Sequence, residues 1–291
     1  MMTTWSDRMF SIVNVGVLTL VSLITLFPLY YVFAVSFTHP DEYLSKGFVL
    51  FPEHWSLLSY KYILATDTFV KGIGISGFLA TMGTFLSLII TSSFSYTLSR
   101  RRFMGRKWLL LLVLLTTLFQ PGIIPHYLLV RELGMINSVW SLIIPVLSSG
   151  WYVLLMKGFF DSIPSELEEA AAIDGCNDMG VWLRVIIPLS LPAMAAFGLF
   201  FAVAYWNTFF HAILYINDHN KWPMQVILQN MLIESTTSTG AGPAEVSAEM
   251  HIPPETIKMA AVVVATVPII LVYPFLQKHF AKGAMIGSVK E

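Results

Sequence analysis

The sequence predicts an all-α, polytopic membrane protein with six transmembrane helices, and three observations predict it. Only 12% of the 291 residues are charged while 56% are hydrophobic; a soluble domain carries roughly 25% charged residues. The apolar residues gather in six long runs: Ser11–Phe37, Gly72–Ser99, Trp108–Val130, Ser138–Met156, Val185–Ile216 and Met259–Gln277. None of these runs contains Asp, Glu, Lys or Arg. Each reaches the ~17–25 residues that a helix needs to cross the hydrocarbon core. In lipid every backbone N–H and C=O must be satisfied internally, so the runs are read as helices of one membrane domain over residues 1–291.

The first run follows Arg8 but is much longer than the ~7–15 residue apolar core of a signal peptide, and it reads as an uncleaved anchor. The loop His39–Lys71 carries Phe48, Phe51, Trp55, Tyr60 and Tyr62, side chains suited to a membrane interface. Gly72, Gly74, Gly77 and Gly83 give the second run a small-residue surface, expected where helices approach closely. Pro121 and Pro125 around Gly122 break the third run, and Pro188 and Pro192 mark the start of the fifth. Thr236–Val246, within the last long loop Asn217–Lys258, is expected to be mobile. The basic cluster Arg100, Arg101, Arg102, Arg106 and Lys107 fills a short loop, which places that loop and both termini in the cytoplasm. The single cysteine, Cys176, then falls on the reducing side and has no partner within the chain.

No G-x-x-x-x-G-K-[ST] occurs, so phosphates are not cradled by that route. No His or Cys cluster has metal-ligand spacing, and no basic patch suits a nucleic acid. With no charge inside the spans, a proton relay has nothing to run on, although a sodium site built from backbone carbonyls escapes this argument. Among the polar side chains within the runs, Gln120, His126, Asn207 and His211 stand out, beside Tyr205 and Trp206. Two readings stand for them: hydrogen bonds between helices, worth about 1 kcal/mol or less each, or a neutral, aromatic lining for a sugar pathway. Asn207 and His211, four apart, are expected to share a helix face.

The segment Asp161–Pro192, between the fourth and fifth runs, carries the most information. Ser165 and Glu168 after Pro164 read as a capping box, Ala170–Ala172 favour helix, Gly175 supplies a left-handed stop, and Asn177 caps a second short helix. Asp161, Glu166, Glu168, Glu169, Asp174 and Asp178 are opposed only by Lys157 and Arg184. An acidic segment is repelled by an anionic leaflet and projects into the cytoplasm, either merely solvated or facing a protein partner.

Glu169-Ala170-Ala171, then Asp174-Gly175, then Pro188 and Pro192 resemble the EAA coupling loop of bacterial ABC-importer permeases, with Cys176 where Ala is usual and Trp182 where Phe is usual. Ile124-Pro125-His126-Tyr127, Leu133-Gly134, Trp206-Asn207 and the stretch from Gln277 to Gly287 are similar to the carbohydrate branch. Tyr215-Ile216-Asn217-Asp218, Lys221-Trp222-Pro223 and Tyr273-Pro274-Phe275-Leu276-Gln277 resemble a subgroup named after a lipoprotein locus and tied to pectin and alginate fragments. The resemblance implies a transport subunit in a bacterial cytoplasmic membrane rather than an enzyme. It implies a second permease, an extracytoplasmic solute-binding protein that delivers an oligosaccharide, and two ATPase subunits that hold the ATP and Mg²⁺, with no cofactor in this chain. Residues 161–187 become the coupling loop, with Glu169, Ala170, Ala171, Asp174 and Gly175 at the ATPase. Gln120, His126, Tyr205, Trp206, Asn207 and His211 become candidates for the pathway. A permease for another solute and a carrier without an ATPase remain as alternatives.

Overall fold

A computed structural model describes residues 5–234 and 252–287; Thr236–Val246 lies outside the described residues. In chain order the helices are α1 (Trp5–Ser36), α2 (Pro40–Lys46), α3 (Leu58–Ala65), α4 (Asp67–Phe78), α5 (Thr84–Ser99), α6 (Arg106–Leu118) and α7 (Ile123–Glu132). They continue with α8 (Gly150–Asp161), α9 (Glu166–Ile173), α10 (Asp178–Val181), α11 (Ile187–Leu189), α12 (Leu191–Trp206), α13 (Phe210–Tyr215), α14 (Met224–Glu234) and α15 (Pro254–Gly287). Among the described residues there is no strand, only an isolated antiparallel bridge between Thr38 and Trp55. By length and composition the helices provide up to six membrane spans when each bent pair is taken as one.

Hydropathy locates the runs but not their bends. The second run is one continuous rod from Asp67 to Ser99, with a π-turn at Leu79–Gly83 between α4 and α5. The third breaks at residues 119–122, as the prolines predict, and α7 leaves α6 at 117°. The fourth is not a single helix: 3₁₀ turns at Val139–Leu142 and Ile144–Val146 precede α8, and the axis bends by 50°. Pro145 lacks the N–H that a continuous helix needs there. The fifth turns by 84° between Leu189 and Leu191 and ends at Trp206, and α13 forms a separate element. The sixth helix begins at Pro254, earlier than hydropathy predicts. The long loop after residue 216 contains a helix of its own, α14.

The chain divides into two compact units. In the first, residues 1–70 and 228–267, α1 exposes apolar side chains on every side between Met9 and Leu29, as a helix solvated by lipid does. The loop aromatics fasten to the end of α1: Phe48 stacks on Tyr31, and Trp55 and Tyr60 pack on Phe37. The Glu42 carboxylate accepts the backbone N–H groups of Glu53 and His54 and the Lys46 ammonium, closing the loop on itself. Ser59 donates to Thr256 at 3.1 Å, tying α3 to the start of α15.

The second unit, residues 71–227 and 268–291, is built on small residues. Ser87, Thr91, Ser92 and Ser95 of α5 are buried, and Ser95 donates to the Val153 carbonyl of α8 at 3.0 Å. Small side chains let helix backbones approach closely. Gly150 meets backbone, since a Cβ there would lie 2.8 Å from the Val113 carbonyl oxygen of α6. At Gly83 it would meet the ring of Tyr205, at 2.7 Å.

Candidate functional site

Local sequence builds the acidic loop. The turn Asp174–Asn177 closes with the Cys176 N–H on the Ala171 carbonyl and the Gly175 N–H on the Ala172 carbonyl. This pattern needs a left-handed residue, and Gly175 takes it at φ +84°. Asn177 caps α10 by accepting from the Gly180 N–H at 2.8 Å. A π-turn at Trp182–Ile186 follows, just before Pro188, whose ring cannot fit an ordinary helical turn.

The capping box does not form. Ser165 makes no side-chain cap, because its backbone angles are already helical and not the extended ones of an N-cap; its carbonyl accepts from Glu168 and Glu169 in a turn that starts at Pro164. The Glu168 carboxylate is drawn instead to Arg100, whose Nη2 also donates to the Phe160 carbonyl and whose guanidinium lies 4.7 Å from the centre of the Tyr96 ring. Arg102 pairs with Asp178 and Lys157 with Asp161. A cavity of about 1080 Å³ opens between the arginine loop and α9, lined by Arg101, Arg102, Arg106, Glu166 and Glu169 among others.

Of the coupling candidates, Glu169, Ala170, Asp174 and Gly175 are exposed, and Glu169 has no ion pair among the described residues. Ala171 is different: it is 8% exposed and packs into the core beneath α9. Two apolar side chains join the exposed face without having been singled out in the sequence, Ile173 at 87% and Met179 at 61%. A loop that leaves such residues bare while pairing its inner acids has the composition of a docking surface.

The pathway candidates separate into four groups. Tyr205 is buried and bonded to Ser87 at 2.9 Å, and Trp206 borders a small apolar cavity with Leu199 and Pro268. Gln120 lies exposed in the break between α6 and α7. His126 and His211 converge: their ring centres are 5.7 Å apart, and Tyr215 joins them with its hydroxyl 2.5 Å from His126 Nδ1. Asn207 and His211 do not share a helix face, because the chain leaves helical geometry at residues 207–209. Both are exposed nonetheless, and Asn207 accepts from the Gln225 side chain at 3.0 Å. Sequence spacing gave a signal for Tyr215, one turn after His211 in α13. It gave none for Gln225, which sits in what reads as a loop.

The family model for the binding-protein-dependent transport system inner membrane component matches residues 1–285. The polygalacturonan/rhamnogalacturonan transport system permease protein YtcP of Bacillus subtilis (strain 168) is 46% identical over 284 residues, covering 98% of this chain and 99% of its own. Protein LplC of the same organism is 44% identical over 291 residues, covering 100% and 98%. A chain of a bacterial ABC transporter involved in the import of the acidic polysaccharide alginate, known from a crystal structure, superposes with a TM-score of 0.90 at 30% identity, over 96% of this chain and 99% of that one.

Proposed function

The chain belongs to the family of binding-protein-dependent transport system inner membrane components, and from that premise we propose that it is one of two permeases of an ATP-driven importer of acidic oligosaccharides. The carrying observation is the acidic helix–turn–helix of residues 161–187, with Glu169 exposed and unpaired and Ile173 bare. Both termini and this loop lie in the cytoplasm, on the side of the Arg100–Lys107 cluster. Two ATPase subunits dock there, and Glu169 meets a basic group on one of them. Closure of the ATPases on nucleotide biases the permeases between inward- and outward-facing arrangements, which is alternating access driven by a differential binding energy. ATP and Mg²⁺ stay on the ATPases, and this chain performs no hydrolysis. A solute-binding protein delivers the sugar to the opposite face, where the Gly47–Tyr60 and Asn217–Lys258 segments are available to receive it.

The substrate class follows from the relatives, two of which are named for acidic polymers: polygalacturonan or rhamnogalacturonan, and alginate. The test is co-expression with the neighbouring transport genes and purification in detergent. ATP hydrolysis is then measured with loaded binding protein across a panel of oligogalacturonates, alginate oligomers and neutral maltodextrins. Co-purification of an ATPase pair and a second permease, with stimulation by an acidic oligomer, supports the reading. Stimulation confined to neutral sugars removes the substrate class but leaves the importer.

A further inference from the structure

His126 and His211 are the only histidines in the six apolar runs, which hold no Lys or Arg. They come from different elements, α7 and α13, 85 positions apart in sequence, yet their ring centres lie 5.7 Å apart. Their depth is also defined. α6 rises for 13 residues and α12 for 16 before the elements carrying the histidines begin, which is roughly 20 and 24 Å of a core about 30 Å thick. With the arginine loop in the cytoplasm, the pair sits in the outer part of the membrane. His211 is exposed, as are Asn207 and Asn217 nearby in sequence, and polar groups at such depth face a cavity or a partner rather than lipid.

We infer that His126 and His211 form a carboxylate-binding subsite at the outer end of the pathway, reading the uronate charge of the arriving oligosaccharide; this rests on the importer reading above. The Tyr215 hydroxyl on His126 Nδ1 fixes that ring and leaves its Nε2 for a ligand, and the buried Tyr215 ring, stacked on Tyr127 and His211, backs the pair. An imidazole that takes up a proton together with the arriving carboxylate gives a site that attracts it without a permanent cation in the membrane. The titratable groups facing the pair are Tyr127 from α7 and Tyr215 from α13. The 3₁₀ turn Val139–Leu142 against α13 brings none. The neighbouring charges are already engaged: Arg131 with Glu132, Lys221 with the Asn137 carbonyl, and Asp218 with the Asn220 amide.

The test uses the whole importer in proteoliposomes with saturating loaded binding protein. Uptake of trigalacturonate is compared with uptake of its methyl-esterified form at about pH 6 and about pH 8. The wild type should prefer the acid more strongly at the lower pH. His126→Gln and His211→Gln should each lower that preference by roughly tenfold, the worth of one charge-assisted hydrogen bond, and flatten its pH dependence. Taking a ratio within each variant removes differences in assembly. If either variant fails to assemble, the wild-type pH profile alone decides, and a flat profile overturns the subsite. Selectivity in both variants equal to wild type overturns the subsite while the importer stands. Uptake of neither sugar by the wild type removes the acidic-substrate reading, and the subsite with it.

Discussion

Arg100 and Glu168, 68 residues apart in sequence, form an ion pair whose side chains are only 14% and 13% exposed. The pair ties α9 to the end of α5, so that under the proposed docking a push on α9 would be delivered to the small-residue interface between α5 and α8. Arg102 and Asp178 form the comparison, at 64% and 75% exposed. Removing one partner of a buried pair leaves a desolvated charge and costs about 3 kcal/mol, whereas an exposed pair is worth less than about 1 kcal/mol. Arg100→Ala should lower the thermal midpoint of the purified complex and its sugar-stimulated ATP hydrolysis, and Arg102→Ala should change neither appreciably. Arg100→Glu combined with Glu168→Arg should recover part of the loss. Equal effects from Arg100→Ala and Arg102→Ala would contradict the role given to burial.

Gly175 is constrained by its backbone, not by its surroundings. Its φ is +84°, and a Cβ there would meet nothing within 4 Å. Gly175→Ala should therefore cost about 1–2 kcal/mol through the left-handed conformation alone, and Gly175→Asn less, because Asn tolerates that region. Coupling efficiency, as sugar imported per ATP consumed, should fall in the order Gly, Asn, Ala, Val at this position. A Val variant that couples as tightly as wild type would show that the turn's shape is dispensable.

Three membrane glycines should rank by what an added methyl meets. At Gly150 it meets the Val113 carbonyl at 2.8 Å, at Gly83 the ring of Tyr205 at 2.7 Å, and at Gly72 the tip of Ile227 at 2.3 Å. The backbone carbonyl cannot step aside, the Tyr205 ring is held by Ser87, and the Ile227 tip can rotate. Overpacking of this kind costs about 1–3 kcal/mol. Gly150→Ala should be the most damaging and Gly72→Ala the mildest, read as yield and thermal midpoint of the detergent-solubilised assembly.

Glu42 predicts an acid-sensitive loop between α1 and α3. Its carboxyl is held down at about 2 from 4.5, chiefly by the Glu53 backbone N–H, against the opposing pull of burial, with help from the His54 N–H and Lys46. A carboxyl depressed in the folded state stabilises fully above its unfolded value and loses that contribution as pH falls through the folded one. The window therefore runs from about pH 4.5 down to about 2. Glu42→Gln should make residues 39–66 accessible to protease at neutral pH, and wild type should become so only in acid.

The parts of the fold written in local chemistry were legible beforehand. Gly175 and Asn177 were readable because a left-handed turn and a helix cap each demand a short list of residue types, and both do what their identity suggests. Pro121 and Pro125 likewise announced a break that is present. Ser165 and Glu168 matched a local pattern and misled, because a partner distant in sequence, Arg100, claimed the carboxylate first. The face assigned jointly to Asn207 and His211 failed for a related reason: hydropathy reports apolarity, not whether residues 207–209 stay helical. His126 and His211 were each visible as polar residues in apolar runs, but their meeting depends on the 117° turn into α7, which no periodicity encodes.

The central claim is that the acidic loop docks on an ATPase, and Ile173, the most exposed apolar residue of that loop at 87%, gives the most direct probe. A photo-reactive amino acid placed at position 173 in the co-expressed assembly should cross-link to the ATPase subunit, with a yield that changes when ATP is bound. Cross-links only to lipid or detergent, in a chain that purifies alone and moves solute into liposomes without ATP, would contradict the account.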